Sequence, residues 1–387
     1  VDHGATTTPS PARNLLPAFA GAAATFSGIG LSRFAYVPLF PAMVSAGWIS
    51  GSEGGLLGAL NLAGYLAGVL GGRRIASRFG TARALDCGMA LAVLGFAASA
   101  INLGAPWLAL ARFVSGAAGG ILMALAGPAV QGAVAPSRRG MAGGIVIAGV
   151  GTGIVVASAA IPLTLPFGIS AAWLALAAIV GTLWAAIRRS WPDTPIPPVA
   201  TGTPARSAIL QAAYGLSGAG LVPHMVYFVD LAVRGRGYPS GFGAAAWFVF
   251  GAGGLAGTLI AGRLADRASA VPALRVWFGI QVLALGAALS DSAAALLLSA
   301  FAGGFSTMGL SVLALARTRE LAGPHAGAIW VKATAAFAVA QALAGFALAT
   351  LFGWTGSHDD VFLAGLGVSV LALAVSFIDG DRAGAGA

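Results

Sequence analysis

Stretches of roughly 20 or more mostly apolar residues alternate along the chain with short segments rich in Gly, Pro and Arg. Twelve can be marked: 15–45, 53–72, 83–103, 106–134, 140–163, 168–188, 207–233, 240–262, 271–290, 293–315, 325–352 and 359–378. About 20 apolar residues in helical form cross the hydrocarbon core of a bilayer. Lipid offers no partner to an open backbone, so each stretch is predicted to be helical. The short in–out alternation of barrel strands is missing, which argues against a transmembrane β-barrel. The pattern predicts an all-α membrane protein of twelve spans.

The polar punctuation sets an orientation. With the N-terminus taken as cytoplasmic, Arg13, Arg73, Arg74, Arg78, Arg83, Arg138, Arg139, Arg188, Arg189, Arg206, Arg263, Arg267, Arg275, Arg317, Arg319 and Arg382 fall on the inner side. Only Arg234 and Arg236 fall outside, among Glu53, Asp291, Asp359 and Asp360. Sixteen inner arginines against two outer ones place both termini inside, in a bacterial inner (plasma) membrane. The longest loop between spans carries Pro192, Pro195, Pro197, Pro198 and Pro204 and divides the spans six and six. The expected organisation is a disordered cytoplasmic tail at 1–14, a six-helix bundle at 15–188, a cytoplasmic linker at 189–206, a second six-helix bundle at 207–378 and a tail at 379–387. No cleavable signal peptide is evident at the start.

The halves repeat. Gly28-Ile29-Gly30-Leu31 returns 190 residues later as Gly218-Ala219-Gly220-Leu221. Gly64-Tyr65-Leu66-Ala67-Gly68 returns 189 later as Gly253-Gly254-Leu255-Ala256-Gly257. An even number of spans separates the copies, so the repeat is parallel, with its axis along the membrane normal and a site expected between the halves. Gly64, Gly68 and Gly72 stand four apart and read as a close-packing face. Gly149-Val150-Gly151-Thr152-Gly153 has glycine-loop spacing, but it lies inside an apolar span with no strand before it, so a nucleotide loop is rejected.

Composition agrees. Of 387 residues, 58% are hydrophobic and 9% charged, where a soluble domain carries about 25% charged. The net charge of +9 lies in clusters between apolar runs, so no nucleic-acid partner is inferred. Cys87 is the only cysteine, and His3, His224, His325 and His358 are scattered, so neither a disulfide framework nor a metal or other cofactor is expected.

Gly262-Arg263-Leu264-Ala265-Asp266-Arg267 resembles the signature between helices 8 and 9 of the major facilitator superfamily, and Arg112 to Gly120 resembles its helix-4 arginine motif. In the first-half copy of the signature, Arg73 replaces the usual glycine and Ser77 the usual aspartate. Gly28 to Pro38, Asn61 to Leu66, and Thr334 to Phe337 with Gln341 resemble the bacterial YbfB/YjiJ-type transporters. The resemblance implies two bundles working by alternating access. It implies a gating or coupling role for Asp266 and Arg267, and a structural or coupling role for Arg112.

Ionisable groups inside spans are costly and default to function. Arg33 lies about eighteen residues into the first span, with Tyr36 on the same face. His224, Tyr227, Asp230 and Arg234 form a stripe on span 7, read either as an Asp230–Arg234 ion pair plus a hydrogen-bonded histidine or as a proton-linked group. Lys332, the only lysine, either lines a cavity or reaches the inner surface. Asn61, Tyr65, Gln131 and Gln341 serve either a cavity or helix packing. The deep charges are positive and no carboxylate lies mid-span in the first half. No enzyme constellation emerges, and a channel or membrane-embedded enzyme explains the repeat less well than a transporter. The expected function is secondary transport of a small organic anion, a carboxylate, by a monomer that also uses protons. Arg33, Tyr36, Asn61, His224, Tyr227 and Lys332 would bind substrate, with Arg112, Asp230, Asp266 and Arg267 in coupling or gating. The competing reading is efflux of neutral or cationic amphiphiles.

Overall fold

The structure, a computed structural model, describes residues 15–135, 138–192, 206–265, 267, 269–323 and 326–378. The tails expected at 1–14 and 379–387 and most of the linker lie outside these residues, as does Asp266. Among the described residues, ten continuous helices are long and apolar enough to cross a membrane. They are helix 2 (Gly51–Phe79), helix 3 (Thr81–Ser99), helix 4 (Ala105–Ala133), helix 5 (Arg139–Thr164), helix 6 (Ile169–Ile187), helix 8 (Ser240–Ala265), helix 9 (Ala270–Ala288), helix 10 (Ala293–Ala322), helix 11 (Ala326–Thr355) and helix 12 (His358–Ile378). Helices 2 and 10 continue past their apolar runs, so the arginine clusters extend the helices rather than forming loops. Helix 2 opens on a capping box between Ser50 and Glu53 and ends at Gly80, whose φ of +90° suits only glycine.

The remaining two spans, expected as single helices at 15–45 and 207–233, are interrupted. Helix 1 runs Leu16–Thr25, passes through a π-helical segment at Phe26–Leu31 and a turn, and resumes at Tyr36–Ser45. Helix 7 runs Arg206–Gly220, then in short pieces Val222–Val226 and Phe228–Asp230, and closes on a π-helical segment at Leu231–Gly235. Proline causes part of this, because it has no amide to give the carbonyl four residues back. Pro38 offers the Phe34 carbonyl no amide, leaving it a bond from the Val37 amide at 3.3 Å, and Pro223 offers none to that of Ala219. The two interrupted elements occupy equivalent places in the repeat.

Packing repeats with the sequence. Helix 1 packs on 5, 2 on 4, and 3 on both 4 and 6; helix 7 packs on 11, 8 on 10, and 9 on both 10 and 12. Across the halves, helix 2 packs on 11 and helix 5 on 8, the symmetric pair that a two-fold axis requires. The twelve helices therefore form two six-helix bundles. Glycine sets the approach within each. A Cβ at Gly64 would strike the Phe113 carbonyl and one at Gly68 the Ala117 carbonyl; in the second half, Gly253 and Gly257 meet the carbonyls of Phe301 and Phe305 in the same way. The Gly149–Gly153 motif has a packing role. Gly149 and Gly153 accept helix 1 at Ala22 and Gly30, and Gly151 faces Leu255 of the other half.

A side chain at Gly68 would meet backbone, which cannot step aside, whereas Gly71 has open space around it. Gly68→Val should destabilise the purified protein by about 1–3 kcal/mol, while Gly71→Ala should shift it by less than about 0.5 kcal/mol. Thermal unfolding in detergent measures both, and equal melting temperatures for the two variants would contradict the packing role.

Candidate functional site

The break in helix 1 leaves carbonyls that need donors inside the membrane. The Ser32 carbonyl receives two: Arg112 Nη2 at 3.0 Å and Asn61 Nδ2 at 3.2 Å. Asn61 also donates to the Arg112 carbonyl at 3.0 Å. The Phe34 carbonyl receives Trp247 Nε1 at 3.1 Å from helix 8 of the other half. Arg112, 1% exposed, lies over the rings of Tyr36 (4.7 Å) and Trp173 (5.6 Å). Asn61 and Arg112, expected at a binding or coupling site, thus brace the broken helix from helices 2 and 4.

Arg33 lies between the braced residues Ser32 and Phe34, and its side chain meets the other half. It is 7% exposed. Its guanidinium lies 4.3 Å above the Tyr65 ring, and Nη2 donates to Gln341 Oε1 of helix 11 at 3.1 Å. Gln341 Nε2 rests on Met225 Sδ of helix 7 at 3.1 Å. Among the described residues, Tyr65 and Tyr214 lie close enough to feel the Arg33 charge. No carboxylate pairs with Arg33 or Arg112 among the described residues. Tyr214 stacks on Phe337 at 4.5 Å, sits 6.1 Å from Trp330, and bonds Ser311 through its hydroxyl at 2.9 Å. Trp330, Thr334, Phe337 and Gln341 recur at four-, three- and four-residue intervals, one face of helix 11. Among the described residues, the Thr334 hydroxyl and Arg33 Nε have no hydrogen-bond partner.

The other expected residues fall elsewhere. The Tyr36 hydroxyl donates to the Gly54 carbonyl at 2.7 Å and its ring stacks on Phe40. Tyr227 packs edge-on against Phe40 and against Gly55, so it seals the halves together at the acidic-loop end. The expectation that His224 lines the space between halves gives way to a place inside the second bundle. Its Nε2 shares a hydrogen bond with Ser299 of helix 10 at 2.9 Å, and its ring lies among Phe228, Phe250 and Phe362. His224 ties helix 7 to helix 10 as Arg112 ties helix 1 to helix 4. Asp230, fully buried, forms the expected bridge to Arg234, through Nε at 2.5 Å and Nη2 at 2.7 Å. It also accepts His358 Nε2 at 2.7 Å, a partner from helix 12 that spacing along helix 7 could not show. Arg234 in turn lies 5.7 Å from the Phe40 ring and against Gly51 of the first half. Lys332 and Arg267 are exposed, and Asp266 lies outside the described residues.

Sequence reasoning passed over Tyr214, Trp330 and Trp247. Trp330 carried a usable signal, because it shares the helix-11 face with Gln341. Trp247 carried none, since its bond joins residues far apart in the chain.

The family model described as "uncharacterised MFS-type transporter YbfB" matches residues 25–377. The chain belongs to this family of the major facilitator superfamily. It is a multi-pass membrane transporter. No curated protein matches the sequence. Among solved structures, the crystal structure of a D-xylose-proton symporter is similar at a TM-score of 0.72 and 14% identity, covering 95% of this chain and 96% of that one. The likeness is one of fold.

The Asp230 cluster supplies a test. Asp230→Asn leaves Arg234 and His358 without their carboxylate at a buried site. It should destabilise the protein by about 1–3 kcal/mol, and His358→Ala by less, since Arg234 keeps its two bonds to Asp230. Melting temperatures of the two variants check the order.

Proposed function

We infer that this YbfB-type transporter carries a small organic anion, a carboxylate, with Arg33 as its counter-charge between the two bundles. One observation carries the reading: Arg33 is buried, touches both halves, and has only neutral partners. A buried guanidinium without a carboxylate is costly, and an anionic substrate would supply the missing charge. Guanidinium offers a carboxylate two parallel N–H groups, which a lysine ammonium cannot. Tyr65 would orient the substrate; the hydrogen bonds of Asn61, Tyr36 and His224 serve packing, so these three leave the binding set.

The remaining expectations join the same proposal. The arginine-rich end is cytoplasmic, both termini are inside, the membrane is a bacterial inner membrane, and the transporter works as a monomer. Coupling to protons, with Asp230 beside the sealed end, belongs to the same proposal. Asp266 and Arg267 would bias the balance between inward and outward states, as the family signature implies.

The aromatic groups near Arg33 favour a second reading, efflux of neutral or cationic amphiphiles. The two readings part at Arg33. In proteoliposomes, Arg33→Ala should lower affinity for a transported carboxylate by roughly a hundredfold, the worth of a buried charge–anion contact of a few kcal/mol. Arg33→Lys should fall between wild type and alanine. Full carboxylate binding by Arg33→Ala, or stabilisation of the wild type by lipophilic cations alone, would replace the anion reading with efflux.

A further inference from the structure

Arg33 is held by an acceptor that the chain itself provides. Gln341 Oε1 takes its bond from Nη2 at 3.1 Å, while Nε has no partner. A carboxamide has nearly the shape of a carboxylate without the charge. It satisfies one donor of a group built to grip two oxygens. A free carboxylate would bind the guanidinium more strongly, and would displace the amide rather than add to it. Gln341 belongs to helix 11 and Arg33 to helix 1, so the displacement would break a tie between the bundles.

The surroundings restrict what could carry that carboxylate. Tyr65 covers one face of the guanidinium. On the helix-11 side, Phe337 and Tyr214 form a stacked wall at 4.5 Å with an interplanar angle of 25°. The Tyr214 hydroxyl is taken by Ser311, which leaves Thr334 with the unclaimed hydroxyl on this face. A polyol would turn most of its hydroxyls toward carbon, which is costly. A flat ring would stack. The second buried arginine, Arg112, is enclosed by Ser32, Tyr36 and Trp173, so the site offers one cation for one acid group.

We propose that Gln341 is a built-in stand-in for the substrate carboxylate, and that the substrate is a monocarboxylate with a flat aromatic or conjugated body. Its acid group takes the place of the Gln341 amide on Arg33, and its body lies against Tyr214 and Phe337. The proposal rests on the anion reading above and goes further in naming the body and the residue displaced.

The test is equilibrium binding of radiolabelled benzoate to the purified full-length protein, with gluconate and succinate as competitors. Benzoate should bind, and gluconate and succinate should compete at least about tenfold more weakly, the worth of one good aromatic contact. Gln341→Glu places a tethered carboxylate on Arg33. It should abolish benzoate binding and raise the melting temperature of the ligand-free protein. Gln341→Ala empties the place and should bind benzoate at least as tightly as wild type; it decides the matter if the glutamate variant does not fold. Undiminished benzoate binding by Gln341→Glu, or its loss in Gln341→Ala, overturns the stand-in role. Gluconate or succinate competing as well as benzoate overturns the flat body while leaving the anion reading in place. A wild-type protein that binds none of the three anions overturns both.

Discussion

A carbonyl freed inside a membrane-embedded bundle must find a donor, and the carbonyls on either side of Arg33 govern the arrangement around them. Water cannot serve there as it would at the surface of a soluble protein. Ser32 is answered by Arg112 and Asn61 within its own bundle. Phe34, denied an amide by Pro38, keeps the Val37 amide at 3.3 Å and gains Trp247 from the other bundle. A short irregular segment is thereby fixed from both sides, and the guanidinium it carries is presented to the interface. Helix 7 follows the same plan with other chemistry. Gln281 donates to the Ser217 carbonyl at 3.0 Å and to Ser369 at 2.7 Å, and His224 reaches Ser299.

The glycines make this bracing possible. Helices 2 and 4 approach until backbone meets backbone at Gly64, Gly68, Gly116 and Gly120. Only at that separation can Asn61, a short side chain on helix 2, bond carbonyls of both helix 1 and helix 4 at once. Small residues at helix contacts are the usual means of close association in lipid, where apolar burial supplies no drive between helices. Here the same closeness lets one amide join three helices.

The twelve spans and the two-fold repeat were legible because both rest on regularities one residue type wide: apolar length and glycine spacing. Pro38, Pro41 and Pro223 were visible too, yet reading 15–45 and 207–233 as continuous helices missed the interruptions. A proline in a membrane helix reports a lost hydrogen bond but not how far the backbone departs. The candidate site was legible only as an inventory. Arg33 stood out from its depth, and Gln341 from the family pattern, but nothing local joins residues 308 positions apart. His224 and Asp230 shared a stripe on helix 7, and the structure separates them. One faces a bed of phenylalanines, the other Arg234 and His358. Helical spacing fixes which side chains share a face, and the broken helix changes where that face points.

Arg33 and Arg112 show why chemistry alone does not separate site from scaffold. Both are buried arginines, both lie over tyrosine rings, and neither pairs with a described carboxylate. They differ in where their partners come from. Ser32, Tyr36 and Trp173 all belong to the first bundle, so the contacts of Arg112 move with it as a body. Gln341 belongs to the second bundle, so any rocking of the bundles would make or break the contact of Arg33. The bond from Trp247 to the Phe34 carbonyl and the approach of Arg234 to Phe40 cross the same boundary. A ligand shifts a conformational equilibrium only by the difference in its affinity for the two states. That difference can arise only where contacts cross between the moving bodies. Of the two arginines, only Arg33 sits at such a crossing, so an anion bound there, as proposed, would change the balance between states, whereas the contacts of Arg112 stay within one bundle.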